Sequence, residues 1–274
     1  MTVGDTQPTQ PLPDWTTAPP EPRRRHRAWP WILAAVIVVG LAVAAWFIGE
    51  SIARGLVEKT IRDQIVTNLA LPADQEVDVD VQGTVIPQLI AGKLDDVTVS
   101  SDDVSVGQLQ GDVTVHAQGI AFRGDPTADA ATATVRLDQE QLKSLLADVQ
   151  DFPVDSLALA APDVTVSTEL TFLGITVPVG VSLTPSAADG DIVLTPSRLQ
   201  LAGAEVSADD LKSRFGSIAD TVLKDYTVCI AEYIPAGLTL TEVKVDGDQV
   251  VADFDVDGRI ASDPALQANG TCSA

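Results

Sequence analysis

The sequence predicts an α+β domain of antiparallel strands, preceded by one transmembrane helix. Three observations predict it. An uncharged run of 20 residues, Trp29 to Ile48, lies near the N-terminus. A stretch of helical period follows it, and from Glu76 onward apolar residues recur every second position. The first pattern suits a bilayer, the second a half-buried helix, the third strands with one wet and one dry face.

The 274 residues carry a formal net charge of −22. Residues 1–28 hold Arg23, Arg24, Arg25 and Arg27 against Asp5, Asp14 and Glu21, a balance of +1, so the remainder carries −23. A nucleic acid would be repelled by such a body, so that class of partner is excluded. The same 28 residues are rich in Pro, Thr and Gln and lack the aliphatic side chains a core needs; they read as a disordered cytoplasmic tail. The run at 29–48 is long enough, at about 1.5 Å per residue, to reach about 30 Å across a bilayer core. Trp29 and Trp31 stand at one end and Trp46 at the other, as interfacial belts do. With the arginines before the run, the expected topology is a single-pass cell-membrane protein, its N-terminus cytoplasmic and its main domain extracytoplasmic, or periplasmic. A signal peptide cut at Ala42-Val43-Ala44 is the alternative; both imply export.

Beyond the run, Ile52, Leu56, Ile61, Ile65 and Leu69 form one helical stripe, with Glu58, Lys59, Arg62 and Asp63 on other faces and Pro72 as the stop. Val77, Val79 and Val81 then alternate with acids and Gln82. Val97 and Val99 continue the alternation, and Val104 and Val106 resume it after a parity change across Ser100–Asp103. Val113, Val115 and Ala117, then residues 131–137, add strands. Asp138 and Gln141 have capping-box spacing for a short helix. Strands are expected at 154–160, 163–173, 175–184, 190–195 and 198–202. A helix capped by Ser207 is expected over 208–226, with Leu211, Phe215, Ile218 and Val222 on one face. A hairpin turns at Gly247. The expected organisation is a tail (1–28), a transmembrane helix (29–48), one α+β domain (50–258) and a C-terminal tail (259–274).

Cys229 and Cys272 both fall in the exported part, where paired cysteines usually bridge; two unrelated thiols are the alternative. Signatures of catalysis are missing. His26 lies in the tail, and His116 falls on the polar side of its strand. No nucleophile elbow, P-loop or dinucleotide-binding glycine motif is present, so no catalytic residue is assigned and no cofactor is expected. Asp253, Asp255 and Asp257 with Gly258 match the front of a calcium loop, but its twelfth position is Pro264, not Glu, and Val251, Phe254 and Val256 read as strand. The acids then share a wet face, and no metal is assigned. The aliphatic interior, with no tryptophan beyond Trp46, suits either a closed core or an acyl-chain cavity.

The order of these features, with "PQLIAGKLDDVTV" (Pro87–Val99), "GQLQGDVTV" (Gly107–Val115) and Cys229 followed by Ile234-Pro235-Ala236-Gly237-Leu238, resembles the LmeA-like phospholipid-binding family of actinobacteria. The likeness covers about residues 50–258. It implies a tubular lipid-binding type of fold, in which a curved antiparallel sheet wraps a long amphipathic helix. It also implies phospholipid binding, including phosphatidylinositol-type lipids. For some members the resemblance further implies support of lipoglycan synthesis in the cell envelope, which would make envelope glycosyltransferase pathway proteins partners. A non-enzymatic scaffold for envelope enzymes, with a closed core, is the rival reading. Under the resemblance, the run Val85–Ala91 gains a role. Pro87 cannot donate to a sheet ladder, which places it at an edge or bulge. Ile86, Leu89 and Ile90 would gather at a sheet end, either as a lip that admits acyl chains or as a plug for the core.

Overall fold

The computed structural model describes residues 29–68, 71–72, 75–106, 109–147, 154–172, 175–201, 204–215 and 223–272. The chain divides into two units, Met1–Phe47 and Ile48–Ala274. The described residues of the first unit are helical and exposed. They belong to helix α1, Trp29–Asn68, which contains a segment of mean hydropathy 2.7, long and apolar enough to cross a membrane, with none of it buried.

The second unit is α+β, with two antiparallel sheets that are curved and not closed. One sheet orders its strands β1-β2-β3-β4-β12-β11. These are β1 (Asp78–Val81), β2 (Lys93–Val106), β3 (Leu109–Ala121), β4 (Ala130–Asp138), β11 (Leu238–Asp246) and β12 (Gln249–Val256). The other runs β10-β8-β7-β6-β5, with β9 also on β8. It comprises β5 (Ala158–Ala160), β6 (Asp163–Phe172), β7 (Ile175–Ala188), β8 (Asp191–Leu201), β9 (Ala204–Ser207) and β10 (Tyr226–Val228). Short helices α2 (Val85–Ala91), α3 (Gln139–Leu146) and α4 (Ala208–Phe215) follow β1, β4 and β9.

Local chemistry accounts for most boundaries. The parity change in β2 is a register shift between Ser101 and Val104, with Asp103 at φ 52°. It lets Val104 rejoin the buried face with Val97. Asp138 accepts from the Gln141 N–H while the Gln141 side chain accepts from the Asp138 N–H, a complete capping box that starts α3. Ser207 Oγ accepts from the Asp210 N–H at 3.1 Å and starts α4. The strands expected at 190–195 and 198–202 are one strand, β8 (Asp191–Leu201), with the irregularity absorbed in the pairing of Ser182 and Leu183; residue 202 lies outside the described residues. Val154–Ser156 is a 3₁₀ turn rather than strand, so only Ala158–Ala160 pairs. The helix expected to reach Tyr226 does not: Tyr226 pairs with Leu194 in β10. The side chains of Leu211 and Phe215, and Ile218 and Val222 altogether, lie outside the described residues. The C-terminal segment, expected as irregular, contains a short helix, Pro264–Gln267, with Asp263 accepting from the Ala265 N–H.

Helix α1 packs on the β1 end of the first sheet through Ala53, Val57, Ile61, Ile65 and Val66. This corrects the expected stripe. Ile52 and Leu56 are 60% and 61% exposed, and Leu69 lies outside the described residues. The buried face is rotated because two arginines take the sheet's edge. Arg54 donates to the Val81 carbonyl and, at 2.5 Å, to Gly83 O; Arg62 Nε donates to Val77 O at 2.5 Å. β1 pairs only with β2, so its outer carbonyls would otherwise stand unpaired, and the arginines cover that edge. Beneath the helix, Val77, Val79, Val81, Leu94, Val97 and Val104 are buried. Each such valine contributes about 1.5–3 kcal/mol of transfer free energy.

Candidate lipid-binding site

Paired residues on neighbouring strands share a face, so the register lays out each surface of the first sheet. One row reads Val79, Val99, Val115, Ala133, Phe254, Leu240. The next reads Val81, Val97, Ala117, Ala131, Val256, Leu238. Both are apolar across all six strands. The opposite face carries Asp80, Thr98, His116, Thr132 and Asp255 in one row. Asp253 and Thr134 lie on that wet face as a pair, Thr134 Oγ1 donating to Asp253 Oδ1 at 2.6 Å. Asp253 and Asp255 are therefore strand residues, in keeping with the sequence pattern.

Among the described residues, two clusters cover the ends of the apolar face. At the β1 end, helix α1 covers it. At the β11 end, Leu240, Val243 and Phe254 are buried under Ile230 and Ile234, with Ala187 and Ile192 from the second sheet. Between these clusters Val115, Ala117 and Ala131 belong to neither and remain half-exposed. Together they form an apolar, half-buried strip on β3 and β4 between the two clusters. The second sheet repeats the pattern: Val166, Val181, Leu199 and Val206 form a row across four strands, all half-exposed. Its other face holds a satisfied polar cluster. Asp163, 2% exposed, accepts from Thr184 Oγ1 (2.5 Å), Ser197 Oγ (2.9 Å) and Arg198 Nη2 (2.6 Å). Such a carboxylate, with every partner supplied, holds strands rather than performs chemistry.

The run Val85–Ala91 is helix, not a sheet edge or bulge. Pro87 sits at its third position, inside the first turn, where its missing N–H deprives the helix of nothing. Thr84 makes no side-chain cap; the Glu50 carboxylate of α1 instead accepts from the N–H groups of Val85 and Ile86. Gln88, only 6% exposed, donates to Gln82 O at 2.8 Å and accepts from the Asp95 N–H at 2.9 Å, tying the segments before and after α2. Gly92 ends the helix in the left-handed region at φ 80°, its N–H bonded to Gln88 O. The three residues expected to gather at a sheet end separate. Leu89 packs against the core below α1, Ile86 is half-buried near Gly49, and Ile90 is 71% exposed. Leu89 and Ile90 are adjacent, and successive helix residues point about 100° apart, so turning Leu89 to the core turns Ile90 outward. Val85 is fully buried, and of the three expected residues Ile90 alone faces out.

Glu50 and Gln88 were not expected from the sequence. A distant glutamate acting as a cap leaves no local spacing to find. Two surface clefts, of about 530 and 410 Å³, lie beside residues 72–78; their linings include Gln75, Glu76 and Asp78, so neither offers an acyl chain an apolar wall. His116 sits on the wet face, 3.1 Å from Thr98 Oγ1, 3.2 Å from Gln118 Nε2 and 3.4 Å from Asp96 Oδ2. Among the described residues no group of three His, Cys, Asp or Glu side chains is placed to hold a metal.

Cys229 and Cys272 are bonded. The bond closes a clasp: Asn269 Nδ2 donates to Glu232 O at 2.8 Å, the Ala236 N–H to Ala268 O at 2.8 Å, and the Gly237 N–H to Leu266 O at 2.9 Å. The clasped segment carries Ile230 and Ile234, which cover the β11 end of the apolar face.

Residues 47–255 match a protein family described as LmeA-like phospholipid-binding. No curated protein and no solved structure matches.

Proposed function

The chain belongs to the LmeA-like phospholipid-binding family, and from that premise we propose that it is a membrane-anchored protein that seats phospholipid acyl chains on the strip of Val115, Ala117 and Ala131. The observation that carries this reading is the strip itself: a row of apolar residues, half-buried, between two buried clusters of one sheet face. Water-exposed aliphatic surface on adjoining strands is costly and is relieved by an apolar ligand. The helix Trp29–Asn68 supplies the anchor through residues 29–48. The arginines at 23–27 support a cytoplasmic tail over 1–28, and the bonded cysteines support an oxidising compartment for the domain at 50–258 and its tail at 259–274. The protein's work is carrying or presenting lipid, without catalysis, in support of envelope lipoglycan synthesis and of its glycosyltransferase pathway proteins. Ile90, the one of the three expected residues that faces out, stands at the entry, while Ile86 and Leu89 hold α2 on the core.

The test is photo-crosslinking. The full chain is reconstituted into vesicles that contain a phospholipid with a diazirine on one acyl chain, irradiated and digested. Adducts on peptides spanning residues 113–117 and 131–135 are expected. Adducts confined to 29–48 would overturn the reading in favour of a scaffold with a closed core.

A further inference from the structure

We infer that the turn from α2 into β2, with the loop after β3, is a docking surface for the bilayer in which the chain is anchored. Ile90 is 71% exposed and Phe122 42% exposed, and both belong to one edge of the domain. The Phe122 N–H donates to Gly92 O at 3.2 Å, and Arg123 Nη2 donates to Leu89 O at 3.0 Å. The Arg123 stem lies over Gly92, where a side chain on that glycine would collide with it. Two exposed apolar side chains are therefore fixed beside one guanidinium.

Two observations select a lipid surface as the occupant. The first is covalent. Glu50, which caps α2, follows the last residue of the apolar run by two positions. The α2 end of the domain is thus close to where the chain leaves that run, whichever way the run points. The second is chemical. Lys93 is paired with Asp129 at 2.7 Å, but among the described residues no carboxylate pairs with Arg123. On a body of net charge −23, an unpaired arginine beside Ile and Phe matches the phosphate level of a bilayer, where cation and apolar side chains are both satisfied. Docking would hold the domain down whether or not its strip is loaded. It rests on reading residues 29–48 as an anchor.

The experiment uses the full chain in phosphatidylcholine vesicles, with an environment-sensitive fluorophore placed singly through Ile90→Cys, Phe122→Cys or Asp248→Cys. Asp248 lies in the β11–β12 turn, at the sheet end opposite Lys93 by register. Labels at 90 and 122 should shift to the blue, resist iodide and be quenched by a spin-labelled lipid, whereas the label at 248 should behave as in water. Adding Arg123→Glu should lessen the shift at 90. Flotation of the chain with vesicles in alkaline carbonate tests the anchor separately. A chain that floats while all three labels are equally open to iodide overturns the docking surface alone. A chain that fails to float overturns the anchor and the inference with it.

Discussion

Removing the two arginines that strap α1 to the edge of β1 should loosen the domain by a calculable amount. Arg54 and Arg62 are eight residues apart, about 12 Å along a helix. Their acceptors, Val81 and Val77, are four residues apart, about 13 Å along a strand. The spacings match, so both bonds form without bending either element. Hydrogen bonds from charged donors contribute about 1.5–3 kcal/mol each. The low end applies here, because the Arg54 side chain is 33% exposed and water can partly replace it. Arg54→Met and Arg62→Met keep the aliphatic stems and remove the donors, so the pair should cost about 3 kcal/mol. For a domain of this size that lowers Tm by about 6–12 °C. Thermal unfolding of the full chain in mild detergent, followed by circular dichroism in the strand region, reads the shift. At this separation the single changes should add to within about 0.5 kcal/mol. Amide exchange should quicken in Asp78–Val81 and stay unchanged in Gln249–Val256. A double variant within about 2 °C of the parent would refute the strap, because a bond bearing that load cannot vanish without trace.

Leu89→Asp and Ile90→Asp should part company: the first puts a charge against the core and lowers Tm severely, the second leaves Tm nearly intact, and equal melting of the two would contradict the helix assigned to α2. The Cys229–Cys272 bond spans 43 residues, so reduction should cost about 4 kcal/mol on the chain-entropy model; two free thiols in mass mapping of unreduced protein would dispose of it. The side chain and backbone N–H of Arg259 bond to Asp257 and lower its pKa from the ordinary 3.8 to about 2. A folded pKa below the unfolded one gives stability that is present above about 3.8 and is lost as pH falls through about 2. Its carboxyl ¹³C titration should have that low midpoint, and Arg259→Ala should return it to the ordinary range; no change on substitution would show the cause is elsewhere.

Much of the fold was legible because period-two alternation and caps are local signals. The row of valines in β1–β3, the bulge at Ser101–Val104 and the Asp138–Gln141 box all follow from residues a few positions apart. What escaped the sequence depends on distant partners. The stripe on α1 holds at Ile61 and Ile65 but is shifted by one residue at Ala53 and Val57, because Arg54 and Arg62 answer to carbonyls of β1, not to neighbours on their own helix. The Pro87 segment read as a strand end because its helix cap comes from Glu50, 35 residues upstream of Val85. That Val115, Ala117 and Ala131 join neither buried cluster depends on what packs over them, and no pattern within β3 or β4 encodes that.

The strand order β4-β12 bears on how the molecule is made. Thr134 and Asp253, hydrogen-bonded across that seam, are 119 residues apart in the chain. Every strand of the second sheet lies between them in sequence. At a synthesis rate of about 5–20 residues per second, β4 waits about 6–24 s for its neighbour. During that interval a finished four-stranded ribbon offers an unpaired edge and a naked aliphatic face to any other nascent chain. Closing the seam also needs a long loop to be drawn in, which slows the step further. The protein is therefore most at risk of aggregation while half made, and its demand for chaperones should fall on the emerging β4 edge rather than on the finished molecule.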